Sequence, residues 1–509
     1  MKIKKSSLIF TCTLIFSAFL SIVLRWNLLN FLLTTDEGAY AYITYFWQQG
    51  NKLYTDVWLD RPQGIFLIYR LVFNTFGDTT EAIRLFAAVY NSLTVIAIGA
   101  LGKKLFNWQT GAISAFLFTI FSSGIAVEGF TANTELFINL PAIISIYFLL
   151  RIDTLSKRNN YINLILGGLF AGLPFLIKGS GISAILFATL YTVYLVIQKN
   201  KGVKATFFKK DNLLPFMSLI LGFTIAIAPA FMHGFMLGIK NYLWGMIGWR
   251  VFEYNILTNV NQQLNKFLQA AILIAPEWTL IIVLFVLWLF LIKKNTAKQK
   301  FVLKLFLSTS FLVAAMGGQW HRHYFVQILP ALSLIGGAAT YNLINLTNNR
   351  VLACLLTIYL FINGLSIFML INAIALFSKD MTQIVSYVYN NSFFPYNLND
   401  KVANYITNHT DSTDTIYVFF SQSQIYYLTK RKPAYPITFT AHVLTDHKFE
   451  DNLISIIESQ KGPKYLVNYK SYEYNMKKFP KLKSSIDKYY FLDSEIEDIQ
   501  FLRKSGLTK

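Results

Sequence analysis

VLACLLTIYLFINGLSIFMLINAIALF, residues 351–377, contains no Asp, Glu, Lys, Arg or His in 27 positions. As a helix this stretch rises about 40 Å, enough to cross a hydrocarbon core about 30 Å thick. Outward from it the pattern recurs. Apolar runs lie at 7–24, 85–101, 110–127, 136–150, 161–177, 179–197, 213–237, 276–292, 301–317 and 324–344. With 351–377 they predict an all-α polytopic membrane protein of about eleven transmembrane helices. Run 136–150 is short and holds Pro141, but its neighbours require the chain to return there. The first run follows a basic start, lacks a clear small-x-small cleavage site, and is expected to stay as an anchor. Of 509 residues, 54% are hydrophobic and 14% charged, which excludes a disordered, collagen-like or disulfide-stapled chain. Both cysteines, Cys12 and Cys354, lie inside apolar runs, so neither a structural disulfide nor a cysteine-based metal site is expected.

The formal charge of +20 would suggest nucleic acid in a soluble protein, so its placement decides its meaning. With the N-terminus inside, the inner segments 1–6, 102–109, 151–160, 198–212, 293–304 and 345–350 hold nineteen Lys and Arg. Their acids are only Asp153 and Asp211. The other ten acids before residue 350 all fall in outer segments. Basic inner loops are what the positive-inside rule requires. The charge is therefore a topology signal, no nucleic-acid partner is expected, and eleven crossings place the C-terminal segment outside the cytoplasm. The expected location is the cell (inner) membrane.

The expected division is a transmembrane domain at 1–377, with a first outer loop at 25–84, followed by a soluble extracytoplasmic domain at 378–509. In the first loop, 39–47 and 65–73 read as amphipathic helices lying at the membrane surface. Segment 238–269, with Trp244, Trp249 and Phe252 near Arg250, reads as interfacial too. The tail is polar, with 17 Lys or Arg and 14 Asp or Glu. Strand-like 415–420 and 465–468, and helix-like 402–407 and 453–459, predict a small α/β domain.

Polar groups at a membrane boundary are costly unless paired or wet, which makes them functional candidates. Five clusters stand out, all on the outer side: Asp36-Glu37, Asp60-Arg61-Pro62-Gln63-Gly64, Glu128 with Asn133-Thr134-Glu135, Lys178-Gly179-Ser180, and Gln319-Trp320-His321-Arg322-His323-Tyr324. Adjacent acids can divide labour, one taking a proton while the other orders the site. Arg beside Pro is a stiff anion contact, and a lysine at the outer edge can bind an anion. Two histidines and an arginine can hold a phosphate or carry protons, but they are too sparse for a zinc site. Each cluster alone has a plain reading: a solvated loop, a turn, a helix cap, a snorkelling lysine or an aromatic belt. Together on one face they suit a substrate with an anionic phosphate head and a long apolar tail.

These residues resemble the polytopic lipid-phosphate-sugar glycosyltransferases of the GT-C class. The similarity is greatest to the protein O-mannosyltransferase and undecaprenyl-phosphate-aminoarabinose transferase superfamily, in its bacterial RgtA/B/C/D-like branch. The resemblance covers roughly residues 7–345 and rests on Asp36-Glu37-Gly38, Arg61-Pro62, Glu135, Lys178-Gly179, and His323-Tyr324 leading into Ile328-Leu329-Pro330-Ala331. Where that family commonly has Lys-Pro-Pro, this chain has Arg61-Pro62-Gln63. The resemblance implies transfer of a sugar from a polyprenyl-phosphate donor to a hydroxyl on a lipid, glycan or protein, with inversion. It implies Asp36 as general base, Glu37 as an ordering acid, and Glu135 in the acceptor or sugar pocket. It places Arg61, Lys178 and His323-Tyr324 at the donor head. Arg322 belongs to the same basic cluster, and Arg250 is added on physical grounds. The outer acids could bind Mg²⁺ or Ca²⁺ through oxygen. No Asp-x-Asp spacing occurs in the first outer loop, so neither a metal nor another cofactor is expected. A lipid or glycan transporter or flippase, and an envelope polysaccharide polymerase, ligase or assembly factor, stay open as other readings.

Overall fold

The computed structural model describes residues 5–152, 158–200, 210–253, 260–346, 350–389 and 396–506. Positions 153–157, 201–209 and 347–349, expected in inner loops, lie outside these, as do 254–259 of the segment expected to be interfacial.

The helices, in chain order, begin with α1 (Lys5–Val23), α2 (Thr35–Gln48), α3 (Gly64–Phe76), α4 (Thr80–Leu105), α5 (Trp108–Phe121) and α6 (Thr134–Leu150). Next come α7 (Arg158–Ile177), α8 (Ile182–Lys199), α9 (Lys210–Leu237), the short α10 (Ile239–Leu243) and α11 (Trp249–Phe252), and α12 (Val260–Ile274). The apolar series ends with α13 (Thr279–Leu291), α14 (Ala297–Met316), α15 (Leu329–Ile344) and α16 (Arg350–Phe377). Every apolar run expected to cross coincides with one of these helices. Seven are long and apolar enough to span by themselves, and α5, α6 and α15 are shorter apolar helices packed among them. The protein is a multi-pass membrane protein. Its outermost members show the lipid-facing surface: Leu352, Leu355 and Leu370 of α16 are exposed.

Two expectations change. The run at 276–292 is not a simple crossing, because α12 precedes it and meets α13 at 109°. The bend falls at Ala275-Pro276-Glu277-Trp278, where Pro276 has no N–H to continue a helix. The second concerns α2. It begins at a capping box in which the Thr34 hydroxyl accepts from the Glu37 N–H and a Glu37 oxygen accepts from the Thr34 N–H. Beyond this cap Ala39 through Ile43 are all buried. α2 therefore lies between the bundle and the C-terminal segment instead of on lipid. Of the two helices of the first loop, α3 is the one that keeps an exposed apolar face, at Leu67, Leu71 and Phe76, as a surface-lying helix requires.

After α17 (Met381–Tyr389) and α18 (Asn399–His409), the C-terminal segment forms β1 (Thr415–Val418), α19 (Gln424–Thr429), β2 (Lys432–Pro433), α20 (Thr440–Thr445), α21 (Phe449–Glu458) and β3 (Tyr465–Tyr469). It closes with α22 (Glu473–Met476), α23 (Pro480–Tyr489), β4 (Tyr490–Ile496) and β5 (Ile499–Lys504). The sheet order is β2-β1-β3-β5-β4. β1 runs parallel to both β2 and β3, while β5 pairs antiparallel with β3 and β4.

The core of this segment is continuous with that of the first loop. One buried cluster joins Tyr40, Tyr42 and Phe66 of the first loop to Tyr417, Tyr426 and Tyr427 of the tail. The Tyr42 and Tyr426 rings lie 5.3 Å apart. α2 and α19 approach so closely that a Cβ on Gly38 would fall 2.4 Å from the Gln424 Cα. At the rim, Lys430 pairs with Asp78 at 2.9 Å.

Candidate active site

The site gathers where α1, α5, α7 and α14 end and α4, α6, α8 and α15 begin. Asp36 and Glu37 are neighbours on α2 but face opposite ways. The Asp36 side chain is 25% exposed and that of Glu37 is 0% exposed. Glu37 Oε1 is 2.7 Å from the Arg84 Nε and accepts from the Ala132 N–H at 2.7 Å. Its Oε2 accepts from Arg84 at 2.8 Å and from the Thr34 N–H and hydroxyl at 3.0 Å each. Glu37 has no oxygen left for a substrate, and it fixes the loop after α5 against the start of α2.

That loop, residues 122–133, presents Glu128. Its φ of 53° is in the left-handed region, uncommon for a residue with a Cβ. The conformation is held by Arg25, a buried guanidinium that donates to the carbonyls of Gly129 at 2.8 Å and Ser122 at 2.6 Å. A Cβ on Gly129 would fall 2.1 Å from the Ser122 oxygen, so only glycine fits there. So held, Glu128 receives Arg322 at 3.0 Å and the His323 Nδ1 at 2.8 Å. The other ring nitrogen, Nε2, lies 3.8 Å from Asp36 and 3.9 Å from Glu135. Burial alone would lower the His323 imidazole. The carboxylates of Glu135, Glu128 and Asp36 outweigh it and raise the pKa above its ordinary value.

Lys178 caps the turn between α7 and α8 and pairs with Glu135 at the start of α6. Its ammonium also lies 4.0 Å above the Tyr324 ring. The reversal is a single tight turn, Gly179–Gly181. The glycine that sterics demand there is Gly181, where a Cβ would meet the Pro174 carbonyl at 2.1 Å, and not Gly179, which faces open space. Gln327 ties the opposite wall to this turn by donating to the Ser180 carbonyl at 3.0 Å. Burial, with the like charges of Arg61 and Arg250 behind it, outweighs the attraction of Glu135 and lowers the Lys178 ammonium below its ordinary pKa.

The third group centres on Asp60, which is 2% exposed. Arg61 lies 2.9 Å from its Oδ1, and Arg250, carried on α11, pairs with its Oδ2. The Arg61 carbonyl accepts from the Tyr54 hydroxyl at 2.7 Å, which fixes the turn. Three residues on, a Cβ at Gly64 would strike the Leu176 oxygen at 2.4 Å, so the turn packs directly on the end of α7, beside Lys178. Burial would raise the Asp60 carboxyl, but Arg250, Arg61 and His442 together hold it well below the usual carboxylate range. It stays ionised and cannot serve as an acid.

The structure thus brings Asp36, Glu135, Arg61, Lys178, Arg250, Arg322, His323 and Tyr324 to one end of the bundle, while Glu37 stands behind them. Arg61, Arg250 and Lys178 lie near one another here, each held by a carboxylate, Asp60 or Glu135. Beside the site a groove of about 450 Å³ opens among α12, α13, α14 and α15, lined by Phe267, Trp278, Phe311 and Phe325. Phe325 belongs to the same short helical turn, Arg322–Gln327, as His323 and Tyr324, so one segment contributes to both the groove wall and the polar site. Sequence reasoning missed the partners that hold the cations. Glu128 was seen but given no role, Asp60 looked like a local turn acid, and His442 carried no signal in a polar tail.

The family described as dolichyl-phosphate-mannose-protein mannosyltransferase matches residues 60–233. No curated protein matches the chain in sequence. Among solved structures, ArnT from Cupriavidus metallidurans bound to undecaprenyl phosphate is similar at a TM-score of 0.62 and 12% identity, over 98% of each chain. Its apo state gives 0.62 and 11%, over 97% of each. AglB from Archaeoglobus fulgidus, in complex with an inhibitory peptide and a dolichol-phosphate, gives 0.56 and 12%, over 98% of this chain and 75% of that one. The fold is that of the GT-C class of membrane glycosyltransferases.

Proposed function

We propose that this chain is an inverting membrane glycosyltransferase acting on the extracytoplasmic side of the cell membrane, with its N-terminus in the cytoplasm. It moves a sugar from a polyprenyl-phosphate donor to a hydroxyl on a lipid, glycan or protein. The observation that carries the reading is a gathering of charged groups beside an apolar groove. Buried Arg61 and Lys178 and half-buried Arg250 gather at one end of the bundle, an apolar groove opens beside them, and the partly exposed Asp36 carboxylate faces the same space. A long isoprenoid tail fits the groove, and the single phosphate of the donor, a diester that becomes a monoester as the sugar leaves, fits the cations. The match to the mannosyltransferase family at 60–233 covers Arg61, Glu135 and Lys178, and ArnT was solved with undecaprenyl phosphate bound.

The chemistry is a single displacement. The acceptor hydroxyl oxygen attacks the anomeric carbon as the bond from that carbon to the phosphate oxygen breaks. The bonding pair leaves with polyprenyl phosphate, and the hydroxyl proton passes to Asp36. Attack opposite the leaving group inverts the anomeric centre. Arg61, Arg250 and Lys178 neutralise the charge that grows on the leaving phosphate, which is transition-state stabilisation by fixed cations. These cations fill the role a divalent metal would otherwise have, so the reading needs no metal. His323, held by Glu128, orients Asp36.

The test is transfer by the purified protein in vesicles, supplied with a panel of polyprenyl-phosphate hexoses and pentoses and with extracted envelope lipids and glycans as acceptors. Asp36→Asn should lower turnover by about 100-fold or more while the protein stays folded. Undiminished transfer by a folded Asp36→Asn protein would remove the base, and a product that retains the donor's anomeric configuration would remove the single displacement.

A further inference from the structure

α20 brings His442 from the C-terminal segment onto the first outer loop, where its Nε2 lies 2.9 Å from Asp60 Oδ1. The ring stands edge-on to two indoles, Trp58 at 4.8 Å and Trp249 at 4.2 Å between centroids. The Trp249 N–H donates to Thr445 Oγ1 at 3.2 Å, which ties α20 to the helix that carries Arg250. Asp60 is therefore held by three donors from three separate parts of the chain: Arg61 in the loop, Arg250 on α11 and His442 in the tail. The His442 Nδ1 is buried and has no hydrogen-bond partner among the described residues. With indoles around it and two guanidiniums already on Asp60, the tautomer that satisfies the carboxylate carries its proton on Nε2.

We infer that His442 is a positioning residue for the donor phosphate, its Nε2–H fixing the Asp60 carboxylate so that Asp60 aims Arg61 and Arg250 at a single anion. The C-terminal segment is then a working part of the site. This inference rests on the reading of Arg61 and Arg250 as phosphate contacts. A carboxylate pinned by a third donor cannot rotate, and the two guanidiniums bound to it keep their angle. Without that donor Asp60 turns, both arginines follow, and the match of two planar forks to one phosphate is lost.

The experiment measures binding of undecaprenyl phosphate, and of undecaprenol as the phosphate-free control, to the full-length purified protein. His442→Gln can carry an amide N–H to about the place of Nε2, whereas His442→Asn stops short. Asn is expected to weaken undecaprenyl phosphate about tenfold, equivalent to about 1.4 kcal/mol, and to leave undecaprenol unchanged. Gln is expected to restore phosphate binding to within about threefold of the parent. Unchanged phosphate binding in the Asn variant overturns the inference. So does an equal loss in Gln and Asn, or a parallel loss of undecaprenol, which marks a general structural defect. Arg61→Ala and Arg250→Ala separate the two claims. If both leave phosphate binding unchanged, the phosphate reading itself falls. If they weaken it while Asn at 442 does not, only the role of His442 falls.

Discussion

His323 turns its Nε2 toward the Asp36 carboxylate at 3.8 Å while its Nδ1 stays on Glu128 at 2.8 Å. This geometry links the stability of the site to pH. The folded state raises the His323 pKa, so its ion pairs stabilise fully below the free imidazole value, near ~6.5, and the gain is lost as pH climbs through the raised value. His323→Gln should therefore cost about 2 kcal/mol near pH 6 and distinctly less near pH 9. Thermal unfolding of both proteins across that range checks it, and a gap that widens with rising pH would contradict the protonated imidazole.

Lys178→Ala should raise the KM for the polyprenyl-phosphate sugar about tenfold, since one charge-assisted phosphate contact contributes roughly 1.5–3 kcal/mol. The KM for the acceptor should move far less. Steady-state kinetics with each substrate varied in turn decides this, and an effect confined to the acceptor would reassign the lysine to the pocket of its partner Glu135.

Glu37→Gln should act on folding before chemistry. The substitution leaves Arg84, 1% exposed, without its carboxylate, and breaking a buried pair in this way costs about 3–5 kcal/mol. A lower yield and a lower unfolding midpoint are expected. A variant of normal stability with no transfer activity would instead place Glu37 in contact with substrate.

Transfer should persist in EDTA, because Arg61, Arg250 and Lys178 already supply positive charge at the leaving group. Activity lost to the chelator and recovered with Mg²⁺ would put a metal among the outer acids.

The membrane bundle was readable from sequence because a bilayer imposes one rule on every crossing: about twenty apolar residues without charge. The break at Pro276 escaped that rule, since 276–292 reads in sequence as one apolar run, whereas α13 has only 13 residues and needs the amphipathic α12 beside it to approach a full span. α2 was misplaced for a related reason. Its alternation of Tyr, Ala and Ile suits a lipid surface as well as a protein interface, and only the tail packed above it, with Gly38 against Gln424, decides between them. In the site, residues with short motifs were legible: Asp36-Glu37, Arg61-Pro62, Lys178-Gly179 and His323-Tyr324. Their partners were not. Asp60, Glu128 and His442 acquire meaning from pairings across long stretches of chain, and one sequence records no such distances.

The close approach of Gly38 to Gln424 bears on how this protein can be re-engineered. A graft made near residue 377, replacing everything downstream with the tail of a related enzyme, would set a foreign α19 against a native α2. The two surfaces were matched at a gap too narrow for a methyl group. An exchange that keeps this packing intact must carry α2 and α3 along with the tail, although these helices lie far upstream in the sequence.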